Sequence, residues 1–559
     1  MSRPMVLRRH RLPDGRVRHA LRRTRAGFRP VSLPTAEDEA SLAVAEAQAV
    51  RAEAPDRPSS RRLAALLVAG ALVSKLLGFV REILMAQVLG ASLVADGFRG
   101  AMTAILLPLS LLQNESVPAI LIPMHRDWQK SGDAPRRLAA LTAALTLIAL
   151  ALMGMVQALG LYWVEAIVGG FDSAGQALTL EFVRIMALGM PASVMVNCLA
   201  AAEIAMGRSR LTTLRASNLN VAVLAGLGVL AWTGRFDGLA WAFTVAFNTL
   251  GAWGLWRLWR EGQFDPAGLR PRAILAAGAE FLRRLRPLLA LPVAEQGNVW
   301  IERVMASRLV TGTVASMDYA RTITDSAILL ISQPLGLAVM SREPSKDVPG
   351  EVARIARPIL AAALPVSVFL MLFAPEVARI VFSRGAFNEH AVLLSSQALR
   401  GIAAGLWAAT LGWILLRMLN SSGRNAAAAL ILSLSFGANA GFNLLTWHLQ
   451  ETSGAGPLLF GFGEALRGLV LLAGTVLMLG CAGRMLRLTA IAAIPAGLMA
   501  LAGWQIHVGL AGTLERLAAG SAACAACVAL GAALLLPETC RTLLARGRAR
   551  LLSILSQAR

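Results

Sequence analysis

From residue 63 to residue 537 the sequence is a succession of apolar stretches, each about 20 residues or more and separated by short polar breaks. About 20 mostly apolar residues are what an α-helix needs to cross a bilayer core. In that core the backbone must bond to itself, which leaves helices or closed barrels as the options. Fourteen stretches meet the criterion: 63–89, 97–124, 138–165, 179–206, 216–234, 238–258, 287–310, 314–341, 357–382, 390–419, 425–446, 457–481, 488–508 and 517–537. The predicted fold class is an all-α polytopic membrane protein with about 14 transmembrane helices. Composition agrees, since only 16% of the residues are charged and 56% are hydrophobic, with mean hydropathy +0.60, whereas soluble domains carry roughly a quarter charged residues. A single soluble domain is excluded, and so is a disordered chain. Cys198, Cys481, Cys524, Cys527 and Cys540 are odd in number and lie mostly in apolar runs, which excludes a secreted disulfide scaffold.

The loops set an orientation, because cytoplasmic loops are enriched in Lys and Arg. One alternate set carries Arg126, Lys130, Arg136 and Arg137, then Arg208, Arg210 and Arg215, a dense group from Arg257 to Arg286, and later Arg342, Lys346, Arg424, Arg484 and Arg487. The other set is nearly bare: 90–95 and 448–457 hold no Lys or Arg. Both termini are therefore expected in the cytoplasm. Most of the net charge of +21 follows from this asymmetry, which removes the need for a nucleic-acid partner.

Residues 1–62 form a basic tail without an apolar core or a signal cleavage site, expected to be cytosolic and disordered. Its arginines run straight into the first helix, which favours contact with anionic lipid. The expected domains beyond it are a first six-helix half (63–260), a basic cytosolic linker (261–286), a second six-helix half (287–481), two extra helices (482–540) and a basic cytosolic C-terminus (541–559). An internal repeat supports the halves: Gly90, Asp96 and Arg99 recur with the same spacing as Gly312, Asp318 and Arg321. Transporters are commonly built from such repeats, with the substrate site between them.

Ionisable side chains at mid-membrane cost several kcal/mol, roughly 2.5–3.5 on insertion scales, and therefore mark pathways or pairs. Lys75, Arg81 and Glu82 lie well inside the first span, with Lys75 and Glu82 on one face and Arg81 beside it. The seventh span carries Glu295, Gln296, Asn298, Glu302 and Arg303. Three of these, Glu295, Asn298 and Glu302, fall on one stripe, and Pro292 permits a bend. Glu302 and Arg303 either face substrate or neutralise neighbouring helices. Asp96 and Arg99, one turn apart, are spaced to pair with each other, as are Asp318 and Arg321. Arg400 has no acid one turn away and is a candidate cavity cation. The candidate substrate-binding set is Lys75, Arg81, Asp96, Arg99, Glu302, Arg303, Arg321 and Arg400.

No enzyme is expected. Cys524 and Cys527 have C-x-x-C spacing in an Ala-rich span with no second pair, which fits small-residue packing better than metal or redox chemistry. No zinc motif, P-loop, dinucleotide fingerprint or nucleophile elbow is present. No metal site and no cofactor are expected. Coupling, where it exists, would come from the membrane potential or an ion.

The run Ser74-Lys-Leu-Leu-Gly-Phe-Val-Arg-Glu82, followed by Leu89-Gly-Ala-Ser-Leu-Val-Ala-Asp-Gly-Phe98, resembles the MurJ/MviN family of lipid II flippases, within the multidrug/oligosaccharidyl-lipid/polysaccharide exporter superfamily. Two further segments are similar, Ala306–Arg321 and Arg384-Gly-Ala-Phe387 with Ala398, Leu399, Gly405 and Leu406 following. The resemblance covers about residues 63–540. It implies an inverted-V bundle with a central cationic cavity for the diphosphate of an undecaprenyl-linked sugar, and a groove beside the last two helices for the lipid tail. The family's cavity cations carry over to Arg81, to Lys75 by charge only and to Arg321, and its second-helix aspartate to Asp96. The arginine that family members carry after the second-helix proline has no counterpart, since Pro108 is followed by Leu109, Ser110, Leu111 and Leu112. Glu302 with Arg303, and Arg400, are expected to compensate.

The implied function is a flippase that moves lipid II across the bacterial inner membrane by alternating access, serving peptidoglycan and cell wall biogenesis. The implied partners are a polyprenyl-diphosphate-linked saccharide and the bilayer, with the chain a monomer. A flippase for another polyprenyl-linked saccharide, of exopolysaccharide or O-antigen type, and a non-transporting membrane scaffold are the alternatives.

The loop asymmetry generates a direct test. An impermeant thiol reagent applied from outside should modify a cysteine placed at Ser92 or Ser453 and spare one at Ser131. The reverse pattern would invert the topology.

Overall fold

A computed structural model describes residues 7–11, 17–21, 60–113, 116–340, 347–538 and 541. The chain divides into two units, Met1–Ser60 and Arg61–Arg559. In the first, β1 (Leu7–Arg11) pairs antiparallel with β2 (Val17–Leu21), Leu7 opposite Leu21 and Arg9 opposite His19. The sequence between the strands includes Pro13-Asp14-Gly15, a turn-forming combination. The expectation of a wholly disordered tail is corrected for these ten residues. The rest of that tail before Ser60, and the expected C-terminal segment after Arg541, lie outside the described residues.

The helices of the first half are α1 (Ser60–Leu89), α2 (Leu93–Gln113), α3 (Ser116–Ser131), α4 (Ala134–Ala158), α5 (Gly160–Val168), α6 (Ser173–Ala187), α7 (Met190–Ala205), α8 (Arg210–Thr233) and α9 (Asp237–Arg260). A linker helix, α10 (Pro271–Leu285), leads to α11 (Ala290–Ala306), α12 (Thr313–Met340), α13 (Val348–Leu372), α14 (Ala374–Phe382), α15 (Glu389–Ser421), α16 (Asn425–Leu445), α17 (Trp447–Thr452) and α18 (Gly456–Met478). Two last helices follow, α19 (Ala482–Gly509) and α20 (Thr513–Leu535). Each apolar stretch of the sequence falls on one helix or on two consecutive ones. Among the described residues nine helices are long and apolar enough to cross a membrane, or ten if the bent pair α6–α7 is one span. The polar helix α11 is not among them: it is 17 residues long and carries Glu295, Glu302 and Arg303.

Local sequence explains the breaks. The α6–α7 pair bends by 47° where Pro191, at the start of α7, lacks an amide hydrogen and crowds the preceding turn. Asp172, Asp347 and Asn388 cap α6, α13 and α15 by accepting from the amides of Gly175, Gly350 and Ala391. In the linker, α10 buries Phe281 and Leu285. Arg136 Nε donates to Asp265 Oδ2 at 2.8 Å, and this bond holds the Asp265 carboxyl below its ordinary range.

The two halves meet at the end of the bundle that carries the bare loops. Gly90 and Gly312 both have positive φ, 60° and 93°, and a side chain at either would strike the backbone of Ala386 or Ala91. Tyr319 donates its hydroxyl to the Gly90 carbonyl at 3.0 Å, and the Ala386 amide donates to the Gln87 carbonyl at 2.8 Å. Tyr319 is fully buried against Phe382 and Phe387, with ring centroids 5.4 and 5.6 Å away. Trp300 Nε1 reaches the Ala166 carbonyl at 2.7 Å, and the Gly170 amide reaches Ser307 Oγ at 3.1 Å. These contacts close the bare-loop end. In the second half, α15 and α18 press together where a Cβ on Gly405 would meet the Ala465 backbone. That close approach brings Glu464 and Arg467 to the centre of the bundle.

Candidate functional site

Beneath the closed end lies a crevice between the halves. Its first lobe, about 690 Å³, is lined by Arg81, Arg99, Arg303, Asp318 and Glu295 among apolar and neutral polar residues, Gln113 and Gln296 included. It follows α2 from Phe98 to Gln113, about 22 Å at 1.5 Å per residue, so it runs from the closed end toward the basic-loop end. The second lobe, about 260 Å³, lies in the second half against Asn298, Glu302, Arg321, Asp325, Glu464 and Arg467. Glu295, Val299 and Phe436 border both lobes.

A continuous chain of ion pairs runs along the crevice. Arg81 Nη2 lies 2.5 Å from Glu82, and Nη1 donates to Asn220 Oδ1 at 3.0 Å. Asn220 in turn donates to the Ser74 carbonyl at 2.9 Å, which fixes α8 against α1 and aims Arg81. Glu82 also binds Arg99. Arg99 stands 3.6 Å from Asp318 across the interface and 5.5 Å from the Tyr319 ring centroid. Asp318 receives both Nη2 bonds of Arg303, at 2.7 and 2.8 Å, and lies 3.4 Å from Arg321. Arg321 pairs with Glu302 and, at 2.9 Å, with Glu464, which also takes Arg467 at 2.6 Å. Buried charges must be paired, and this sequence of contacts satisfies that rule across both halves.

The candidate residues thus divide. Arg81, Arg99, Arg303, Arg321 and Glu302 all belong to the network. Glu302 and Arg303 each pair with a residue on α12, which is the neutralising arrangement left open by their spacing. Asp96 does not pair with Arg99. Its carboxylate accepts from the amides of Gly312 at 2.6 Å and Ala315 at 2.8 Å, so it caps α12 of the other half, where a helix leaves amides unsatisfied. Asp96 is buried and lines neither lobe, and its placement in the substrate-binding set is corrected to a joint between halves. Lys75 is exposed and outside both linings, within electrostatic reach of Asp325.

Arg400 is also corrected. Ile402, Gly405 and Ala409 of α15 line the second lobe, and at 100° per residue Arg400 is turned roughly 140–200° from them. It sits on an exposed face of the bundle, so it does not replace the missing second-helix arginine. Arg303 does line the first lobe. The spacing argument passed over Glu464, Arg467 and Asp325. The signal was there, since Glu464 and Arg467 stand one turn apart in an otherwise apolar stretch.

A strongly cationic cavity is not what the side chains form. Five network arginines face Glu82, Asp318, Glu302 and Glu464, a formal balance of +1 from five against four. The physical reason is that the low-dielectric interior does not hold five bare guanidinium groups.

The family model described as Lipid II flippase MurJ matches residues 85–514. The chain belongs to the lipid II flippase MurJ family. A protein named Lipid II flippase MurJ from Burkholderia cenocepacia is 27% identical over 376 residues, covering 64% of this chain and 72% of that protein. A solved structure described as Lipid II flippase MurJ, inward closed conformation, superposes with TM-score 0.70 at 13% identity, over 85% of this chain and 99% of the other. An inward-facing multidrug resistance MATE family transporter of the MOP superfamily gives TM-score 0.58 at 16% identity over 74% and 96%. MurJ family membership makes the chain a multi-pass membrane protein of a transporter family. Within the MurJ fold the crevice lies between the two halves.

The network predicts which substitutions unfold the bundle. Asp318→Ala strands Arg303, leaves Arg99 to Glu82 and Arg321 to Glu302 and Glu464, and should destabilise the fold by about 3–5 kcal/mol. Asp96→Ala removes the α12 cap and should cost about 1–3 kcal/mol. Thermal unfolding in detergent, followed by loss of the monodisperse peak, measures both. Wild-type stability in Asp318→Ala would show that the pairs do not hold the halves together.

Proposed function

We propose that the chain flips lipid II, the undecaprenyl-diphosphate-linked peptidoglycan precursor, across the bacterial inner membrane by alternating access. The observation that carries this reading is the crevice between the halves, closed at the bare-loop end and walled by Arg81, Arg99 and Arg303. A diphosphate does not cross hydrocarbon unaided. Guanidinium groups replace its hydration with paired charge-assisted bonds, while the polyprenyl tail stays in lipid throughout. With basic loops in the cytoplasm and both termini there, the crevice lies on the side where the precursor is made.

The arginines are held in ion pairs until cargo arrives, so the diphosphate exchanges with Glu82 and Asp318 as their partner. Breaking those pairs loosens the joint near Gly90 and Gly312, which links binding to opening of the far side. One chain contains both halves, so a monomer suffices. The membrane potential, worth about 2.3 kcal/mol per charge per 100 mV, is an energy source that needs no cofactor. A cargo with another saccharide on the same diphosphate is the second reading, favoured by Leu109–Leu112 where family members carry an arginine.

Reconstitution into liposomes with lipid II tests this. The wild type should flip it, and Arg81→Ala and Arg303→Ala should each lower the rate at least about tenfold with the protein still folded in the membrane. Normal rates in both variants would make the arginines structural only. Transport of an undecaprenyl-linked exopolysaccharide unit but not lipid II would favour the second reading.

A further inference from the structure

The two lobes differ in charge. The first is lined by Arg81, Arg99 and Arg303 against Asp318 and Glu295, a formal +1. The second is lined by Glu295, Glu302, Asp325 and Glu464 against Arg321 and Arg467, a formal −2. A diphosphate belongs in the first lobe and is repelled from the second. Acids alone would not define a ligand, because Glu302 and Glu464 are spoken for by arginines. Two further features do. Asn298 is 4% exposed and lines the second lobe, yet its Oδ1 accepts no hydrogen bond. Asp325, on the same wall, makes no ion pair or hydrogen bond among the described residues, although Arg321, Arg467 and Lys75 stand within electrostatic reach. A buried acceptor left without a donor is costly, and a carboxylate beside it supplies further acceptors with a negative charge.

We infer that the second lobe takes a primary ammonium group carried on the saccharide-peptide part of the cargo. This rests on the flipping function proposed above and deepens it. An ammonium has three donors and no acceptor. Asn298 Oδ1, the Asp325 carboxylate and a remaining lone pair of Glu302 or Glu464 meet all three. The cargo is then a zwitterion laid across the crevice, diphosphate toward α2 and amine toward α12 and α18. A stem peptide containing a diamino acid carries such an amine on that residue's side chain, whereas a neutral oligosaccharide on the same lipid does not. The lobe therefore distinguishes the two cargo classes that the arginines treat alike.

The experiment compares flipping, by the full chain in liposomes, of lipid II with its free diamino-acid amine and the same lipid N-acetylated at that amine. The wild type should move the free-amine form at least about tenfold faster. Asp325→Asn should slow the free-amine form and bring the ratio of the two cargoes near one, and Asp325→Glu should restore the preference. The ratio is read within each variant, so a lower folded yield cancels. Equal wild-type rates for the two cargoes would overturn the inference and leave the diphosphate reading standing. So would a ratio unchanged by Asp325→Asn, or equal dependence of both cargoes on added sodium or potassium, which would assign the lobe to a free ion. Failure of the wild type to flip either form would overturn the flipping function itself, and this inference with it.

Discussion

Asp318 is the point on which the bundle turns. Its carboxylate faces three arginines from three helices, Arg99 on α2, Arg303 on α11 and Arg321 on α12. One of these comes from the first half and two from the second. A carboxylate in a low-dielectric interior is costly unless paired, and so is each guanidinium. Separation of the halves here breaks the Arg99–Asp318 pair, while Arg303 and Arg321 stay with Asp318 in the second half and Arg99 stays with Glu82 in the first. The glycine turns, the Tyr319 hydroxyl and the Asp96 cap add directional bonds at the same end, so electrostatics and backbone geometry hold one closed face together.

Under the proposed function, the same side chains serve structure and transport. An arginine fixed by Glu82 or Asp318 is already desolvated and aimed, so a diphosphate that displaces the acid meets an organised partner and not a hydrated, flexible one. Where the displaced acid is Asp318, its contact with Arg99 across the halves is lost. Under that proposal, binding energy from the head group is converted into a bias on conformation. The lipid tail takes no part, since it stays in an apolar phase on both sides of the cycle.

Much of the helix layout was legible, because spans of about 20 apolar residues have one solution in hydrocarbon and each stretch fell on a helix or a helix pair. The recurrence of Gly, Asp and Arg at two hairpins pointed to the interface. Spacing alone misassigned what those residues do there. Asp96 and Arg99 are one turn apart, yet Asp96 bonds to Gly312 and Ala315, more than 200 positions away, and Arg99 bonds to Glu82 and Asp318. Long-range partners of this kind leave no trace in local spacing. Arg400 shows a second limit: its depth was readable, but the face of α15 that turns inward depends on packing against α18. Glu464 and Arg467 were readable as intramembrane charges, and their role followed only once Gly405 was seen to admit α18 so closely.

In the proposed mechanism, cavity arginines exchange protein acids for the diphosphate. Affinity of the detergent-solubilised protein for a short-chain prenyl diphosphate, wild type against Glu82→Gln, tests it most directly. Removing the charge that competes for Arg81 and Arg99 should tighten binding several-fold while lowering thermal stability, because Glu82 is the buried acid that both arginines pair with. Unchanged or weaker binding in Glu82→Gln, with the protein folded, would contradict the exchange.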